Sequence, residues 1–391
     1  MKHVLGKTSF QLIPFYFAQY VTQCFYQNFI TVYLNDRGVD SAGIGLLMAV
    51  APLVSLLGQP VWGNLGDRIP WKNTLLWLLC LLGSLSICLL PFTSGLLGMG
   101  AILALFAFFY LSVQPLGDAV ALESLHRAEL PYGPVRLFAS LSFGLFSALS
   151  GLLLTGHSER VPWAIAVSLL LTFSSVFLLP KVRGHRERSD KGGIRGLRPY
   201  KRMWTLIVFS MLLMIGLSSF YNFFPIFYKV DLGGTQNMLG VCFLISSFVE
   251  IPFLAYYDRL YRRFGAEKLL LFSGLVMAFR WLLLSLIRNP WVAMATQALH
   301  IGCFLLMSLT VIFYVDETVP AKYKAAGQMV YTLTALSIAR ILGALIGGFL
   351  AQRFGRRELF LITSVYTFVC VFAFSAWLLL RKRRENTAKT A

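Results

Sequence analysis

The sequence predicts an all-α membrane protein, with twelve transmembrane helices in two pseudo-symmetric six-helix bundles. Three observations predict it. The 391 residues are 57% hydrophobic and only 13% charged, whereas an ordinary soluble domain carries about 25% charged residues. The apolar residues gather in runs of about 20, long enough to cross a bilayer as helices. Short patterns also recur half a chain apart, as expected of a fold built from internal repeats.

The runs lie at about 10–34, 42–65, 73–91, 96–124, 135–156, 161–180, 203–228, 235–258, 266–287, 290–315, 325–352 and 358–380. Helix is the open-chain element that satisfies its own backbone in lipid, and these runs are too long for barrel strands. The first run is too long for a signal-peptide core and lacks a small-residue cleavage site, so it is retained as a span. The segment 181–202 is the one long polar stretch, with nine Lys or Arg, Gly192-Gly193 and Pro199. It reads as a basic cytoplasmic linker between an N-terminal bundle, 1–180, and a C-terminal bundle with a short basic tail, 203–391.

An even number of spans puts both chain ends on one side. Of the 35 Lys and Arg, 25 fall in loops and tails on that side, 7 in loops on the other and 3 within spans. Positive charge marks the cytoplasmic side, so both termini are expected there, in the cytoplasmic membrane. The net charge of +18 is therefore spread over short loops. No basic groove with interleaved aromatics is present, which argues against nucleic acid. The six cysteines all fall inside apolar runs without metal-ligand spacing, and read as free thiols and small hydrophobes.

Between spans 2 and 3 stands Gly63-Asn64-Leu65-Gly66-Asp67-Arg68-Ile69-Pro70-Trp71-Lys72. Small residues at 63 and 66 allow two helix ends to approach. Asp67 can bond a neighbouring helix N-terminus or an arginine, while Arg68 and Lys72 stay at the aqueous surface. This resembles the loop between helices two and three of major facilitator superfamily transporters, Gly-x-x-x-Asp-Arg/Lys-x-Gly-x-Arg/Lys. Gly63, Asp67, Arg68 and Lys72 match, while Pro70 and Trp71 depart. The resemblance implies a gating role for the four matching residues. It also fits the repeats. Phe25-Tyr26-Gln27-Asn28-Phe29 in span 1 recurs as Phe220-Tyr221-Asn222-Phe223-Phe224 in span 7, and Asp67-Arg68 recurs as Asp258-Arg259.

Ionisable residues inside spans are costly and point to function. They are Asp118, Arg136, Glu250, Arg280, His300 and Arg340. Tyr132-Gly133-Pro134-Val135-Arg136-Leu137-Phe138 resembles the span-5 entrance of the lactose permease and phenylpropionate permease branch. There the arginine pairs with a span-4 carboxylate eighteen residues earlier, the distance of Asp118 from Arg136, and in the sugar permease the pair grips the substrate. Met277-Ala278-Phe279-Arg280-Trp281 matches the coupling arginine, and Gln297-Ala298-Leu299-His300 the span-10 Leu-His pair. Two positions depart: Cys303 replaces the proton-carrying glutamate, and Ser247 the span-8 glutamate, with Glu250 one helical turn on. Glu250, Arg280 and His300 are thus expected to couple protons, with Glu250 neutralising Arg280; a static buried ion pair is the alternative.

The substrate wall is expected from spans 1 and 7 together with the charges. Gln19, Gln23, Tyr26 and Gln27 share one side of span 1, and Tyr221 and Asn222 are their counterparts. With Asp118 set against Arg136, Arg340 has no evident acid. An organic acid would suit it, with an aromatic ring suited to the aromatics of spans 1 and 7; a sugar or nucleoside is the alternative.

The function expected is secondary transport of a small organic solute by alternating access, as proton-coupled symport. A proton-driven drug exporter of the same fold is the rival, but span 5 lacks the Gly-Pro signature of those proteins. A membrane enzyme would need clustered acids for metal-bound phosphate. Asp316-Glu317 stands without a second cluster. No enzyme activity, cofactor or metal is expected; the driving force is the proton gradient. The partners expected are the solute and the bilayer, with the protein a monomer.

Overall fold

The computed structural model describes residues 6–183 and 193–390, and the described residues are helical with no strand. Twelve helical spans follow one another: α1 (Lys7–Asp36), α2 (Ser41–Arg68), α3 (Lys72–Cys88), α4 (Gly95–Arg127), α5 (Gly133–Leu154), α6 (Val161–Val176) and α7 (Lys201–Asp231); then α8 and α9 within Gln236–Leu286; then α10 (Pro290–Thr318), α11 (Ala321–Phe354) and α12 (Arg356–Thr390). Gly265, at φ 75°, separates α8 from α9, a conformation open to glycine at no steric cost. Among the described residues ten spans are both long and apolar enough to cross a membrane. The other two are α6, with 16 residues, and α1, whose 30 residues carry Gln11, Gln19, Gln23, Gln27 and Asn28. Of the expected linker, 184–192 lie outside the described residues; 194–197 form a 3₁₀ turn ahead of α7.

Local chemistry starts several helices on the side away from the chain ends. Asp40 accepts from Gly43 N at 2.8 Å, Thr235 from Met238 N at 3.2 Å, and Asn289 from Trp291 N at 2.8 Å ahead of Pro290. Each side chain satisfies a backbone donor that a helix start leaves open.

Four spans contain irregular backbone. α4 is interrupted at Leu111–Ser112, α7 ends in the π turn Phe227–Asp231, α10 contains the 3₁₀ stretch Thr296–Gly302, and α11 the π turn Thr332–Ile338. Irregular backbone at membrane depth is tolerated where it is buried in protein or lines a wet cavity.

The first six spans meet the last six along two matching seams, α2 on α11 and α5 on α8. Both are tight because glycine removes the side chain. A Cβ at Gly45 would lie 2.4 Å from Ala344 O, and one at Gly240 would lie 2.2 Å from Ser147 O. Gly348 and Gly151 complete the seams in the same way. Away from the chain ends, polar contacts reinforce this closure: Ser41 N donates to Gln352 Oε1 (3.1 Å), Gly156 N to Gln236 Oε1 (3.1 Å), and Lys229 pairs with Asp36 (2.6 Å). Gly343 and Gly347 seat α11 on Ser218 and Ser219 of α7, the helix-packing role their spacing suggests.

Candidate functional site

Between the halves lies a cavity of about 610 Å³. Six amides line it (Gln19, Gln23, Gln27, Gln59, Gln114 and Asn222), with Tyr20, Tyr26, Tyr110 and Tyr221. Its charged side chains are Asp118, Arg136 and Arg340. The first half brings α1, α2, α4 and α5 to this wall; the second brings α7, α10 and α11. Gln19, Gln23, Tyr26, Gln27, Tyr221 and Asn222 thus share the cavity with the three charges, and Tyr20 lies on the same face of α1.

The expected Asp118–Arg136 ion pair is not formed. Two phenols take the carboxylate instead: Tyr16 OH donates to Asp118 Oδ1 at 2.6 Å and Tyr132 OH at 2.9 Å. The Arg136 guanidinium lies over the Tyr20 ring, 4.9 Å from its centre, and Gln114 Nε2 donates to Tyr20 OH at 3.1 Å. Tyr16, Tyr20 and Gln114 were not singled out from sequence. A signal was there: residues 16, 20, 23 and 27 follow the four-three-four spacing of one helix face. Tyr132 stands in the segment that carries the span-5 resemblance.

The expected Glu250–Arg280 pair is absent too. Arg280 is 0% exposed. It donates to Gln297 Oε1 at 2.5 Å and to His300 Nδ1 at 3.0 Å, and its guanidinium lies 4.3 Å from the Phe220 ring centre. It also donates to Cys303 Sγ at 3.6 Å, the position where the resemblance has a glutamate. Ser246 Oγ donates to the same Gln297 oxygen at 3.1 Å and fixes the amide's orientation. Arginine only donates, so His300 Nδ1 is an acceptor and the ring hydrogen sits on Nε2. That nitrogen faces Glu250 Oε1 at 3.5 Å and Tyr221 OH at 3.4 Å. Arg280 therefore acts on Glu250 through the imidazole.

Arg340 has no acid partner, as expected. Among the described residues its guanidinium has neither a hydrogen-bond acceptor nor a carboxylate within 4 Å. Ser218 Oγ donates to its backbone carbonyl at 3.0 Å, just past the π turn of α11.

The gating motif departs in three details. Gly63, Asp67 and Arg68 belong to the last turns of α2, because nothing breaks the helix before Pro70 forces Ile69 into an extended conformation. A Cβ on Gly63 would meet nothing within 4 Å, so the close approach is made by Gly66 alone, against Leu116. Lys72 is buried rather than solvated, its Nζ 3.5 Å from Glu123 and its backbone N bonded to Val182 O. Asp67 is exposed and has no hydrogen-bond or ion-pair partner among the described residues.

A family model described as the MFS_1 like family matches residues 10–362. A maltose permease of Geobacillus stearothermophilus is 27% identical over 370 residues, covering 92% of this chain and 91% of the relative. A probable 3-phenylpropionic acid transporter of Escherichia coli K12 is 25% identical over 348 residues, covering 87% and 90%. The crystal structure of the nucleoside transporter NupG superimposes with a TM-score of 0.83 at 17% identity, over 94% of this chain and 98% of that one.

Proposed function

The chain belongs to the major facilitator superfamily, in its lactose permease-like branch, and from that premise we propose that it takes up a small polyhydroxylated solute together with protons. It is a multi-pass membrane transporter by family; solute, coupling and direction are our reading. The observation that carries the reading is the cavity, where six amides and four phenols offer alternating donors and acceptors around a space of about 610 Å³. Such a wall suits hydroxyl groups on all sides of a ligand, as in a sugar or nucleoside. The named maltose and nucleoside transporters are in keeping with it.

In this reading Asp118, Arg136, Gln23, Tyr26, Asn222 and Arg340 hold the solute. Glu250 carries the proton and His300 passes the influence of Arg280 to it. Residues 1–180 and 203–391 move as two bodies joined by the linker, with both termini cytoplasmic. On that orientation the glycine seams and the Asp36–Lys229 pair close the outer side, and the conformer is inward-facing. The four residues of the gating motif act when the inner side closes. The protein works as a monomer in the cytoplasmic membrane, with no cofactor.

The test is uptake of labelled maltose, uridine and 3-phenylpropionate by proteoliposomes under an imposed pH gradient. Accumulation of a hydroxyl-rich solute that collapses on adding a protonophore is expected. Accumulation of the aromatic acid alone, or uptake indifferent to the proton gradient, would overturn the reading.

A further inference from the structure

We infer that the solute is an acidic sugar, a hydroxyl-rich body with a single carboxylate that Arg340 binds. The inference rests on the polyhydroxylated-solute reading and names the class within it.

Among the described residues the cavity wall carries three formal charges, Asp118, Arg136 and Arg340, and so one positive charge in excess. The three are not equally provided for. Asp118 already accepts two phenol hydrogens. Arg136 rests on the Tyr20 ring. Arg340 has neither an acceptor nor a ring beneath it among the described residues, although Ser218 holds its backbone in place. A cation at membrane depth without a counter-ion is costly unless wetted or matched by a ligand. A guanidinium presents parallel donors that fit the two oxygens of a carboxylate.

One excess charge matches a monoanion. A phosphate dianion would call for a second free cation, and Asp118 would repel it from across the same cavity. The body of the ligand follows from the rest of the wall. Of the aromatics of α1 and α7 that suggested an aromatic acid, Phe25, Phe29, Phe220 and Phe223 are buried in the core, and those that line the cavity, Tyr20, Tyr26 and Tyr221, each carry a hydroxyl. Phe304 is the phenylalanine that lines the cavity, among six amides. A plain aromatic acid would leave those amides unmatched, and unmatched polar groups lose affinity. A uronic acid, free or at one end of a disaccharide, satisfies both the fork and the amides.

Calorimetry on the purified full chain tests this with matched pairs: methyl glucuronide against methyl glucoside, and cellobiouronic acid against cellobiose, with 3-phenylpropionate as a third arm. In wild type the acid is expected to bind about tenfold or more tighter than its neutral twin, as for a charge-assisted contact. Arg340→Gln should erase that preference, so that the acid and its neutral twin bind within about twofold of each other, on the same reasoning. Arg340→Lys, which keeps the charge without the fork, should fall between. Equal binding of acid and neutral twin in wild type, or an acid preference undiminished in the Lys variant, overturns the inference while the polyhydroxylated-solute reading stands. Binding of 3-phenylpropionate with no binding of any sugar overturns both.

Discussion

At the scale of single residues, each arginine at membrane depth is accommodated differently. Arg280 is enclosed by Gln297, His300 and Phe220, Arg136 lies on Tyr20, and Arg340 faces the cavity. Because Arg280 holds His300 Nδ1 as an acceptor, the imidazole can offer Glu250 a hydrogen but cannot readily take one from it. In the coupling we propose, the proton is thus left to the carboxylate. Glu250→Gln imitates the protonated acid, so it should reduce accumulation against a gradient to none while preserving counterflow exchange. Wild-type accumulation in proteoliposomes of this variant would place the proton elsewhere. A second expectation concerns the phenols that hold Asp118 away from Arg136. In Tyr16→Phe/Tyr132→Phe the carboxylate is free to pair with the guanidinium, and a solute must then break that pair to bind. Two charge-assisted hydrogen bonds lost, partly replaced by the new pair, should raise the solute's Kd about tenfold. The neutral variant Asp118→Asn serves as reference, and an unchanged Kd in the double variant would show that the phenols only fill space.

At the scale of helices, regular and irregular elements divide the work. The regular parts of α2, α5, α8 and α11 form the seams, and glycines let their backbones touch. Gly45→Leu would force a side chain toward Ala344 O, which lies 2.4 Å from the Cβ position. That end of the seam should open, with a longer distance between spin labels on the ends of α2 and α11 nearest Gly45 and Gly348. An unchanged distance distribution would mean that the seam yields elsewhere. The irregular parts carry the chemistry: the 3₁₀ stretch of α10 holds Gln297 and His300, and the π turn of α11 leads into Arg340. Such backbone was not legible in the sequence. No proline or glycine stands within Thr332–Ile338, and the 3₁₀ stretch of α10 ends in a glycine without beginning in one. Period and composition give span lengths well, because a bilayer demands about 20 apolar residues whatever their order. They do not report which hydrogen-bond spacing a buried turn adopts.

At the scale of the whole molecule, the two-bundle plan was readable because the pattern Phe-Tyr-Gln/Asn repeats with the spans, and because six residues could not lie in lipid without a reason. Gln19, Gln23, Tyr26, Gln27, Tyr221 and Asn222, proposed from sequence for the solute wall, line one cavity with Asp118, Arg136 and Arg340. The pairings among the charges were misjudged, since spacing along one helix is silent about a phenol arriving from another, as Tyr16 does at Asp118. The gating motif shows the same limit in another form. With the halves closed on the side of the glycine seams, Asp67 is exposed and has no partner among the described residues, so its charge does little for this conformer. In the alternating access we propose, it acts in the alternate conformer, where the end of α2 would approach α11. α11 begins at Ala321 with no side-chain cap, and an acid near a helix N-terminus stabilises it by about 1 kcal/mol, up to about 2 where partly buried. Asp67→Ala should therefore leave solute affinity in the conformer described here within about twofold, while lowering the alternate conformer's population by about fivefold, and by about thirtyfold at most. Spin-label distances across the inner ends of α2 and α11, read with calorimetry on the same samples, separate the two effects. A large loss of affinity with unchanged populations would assign Asp67 to the binding site instead.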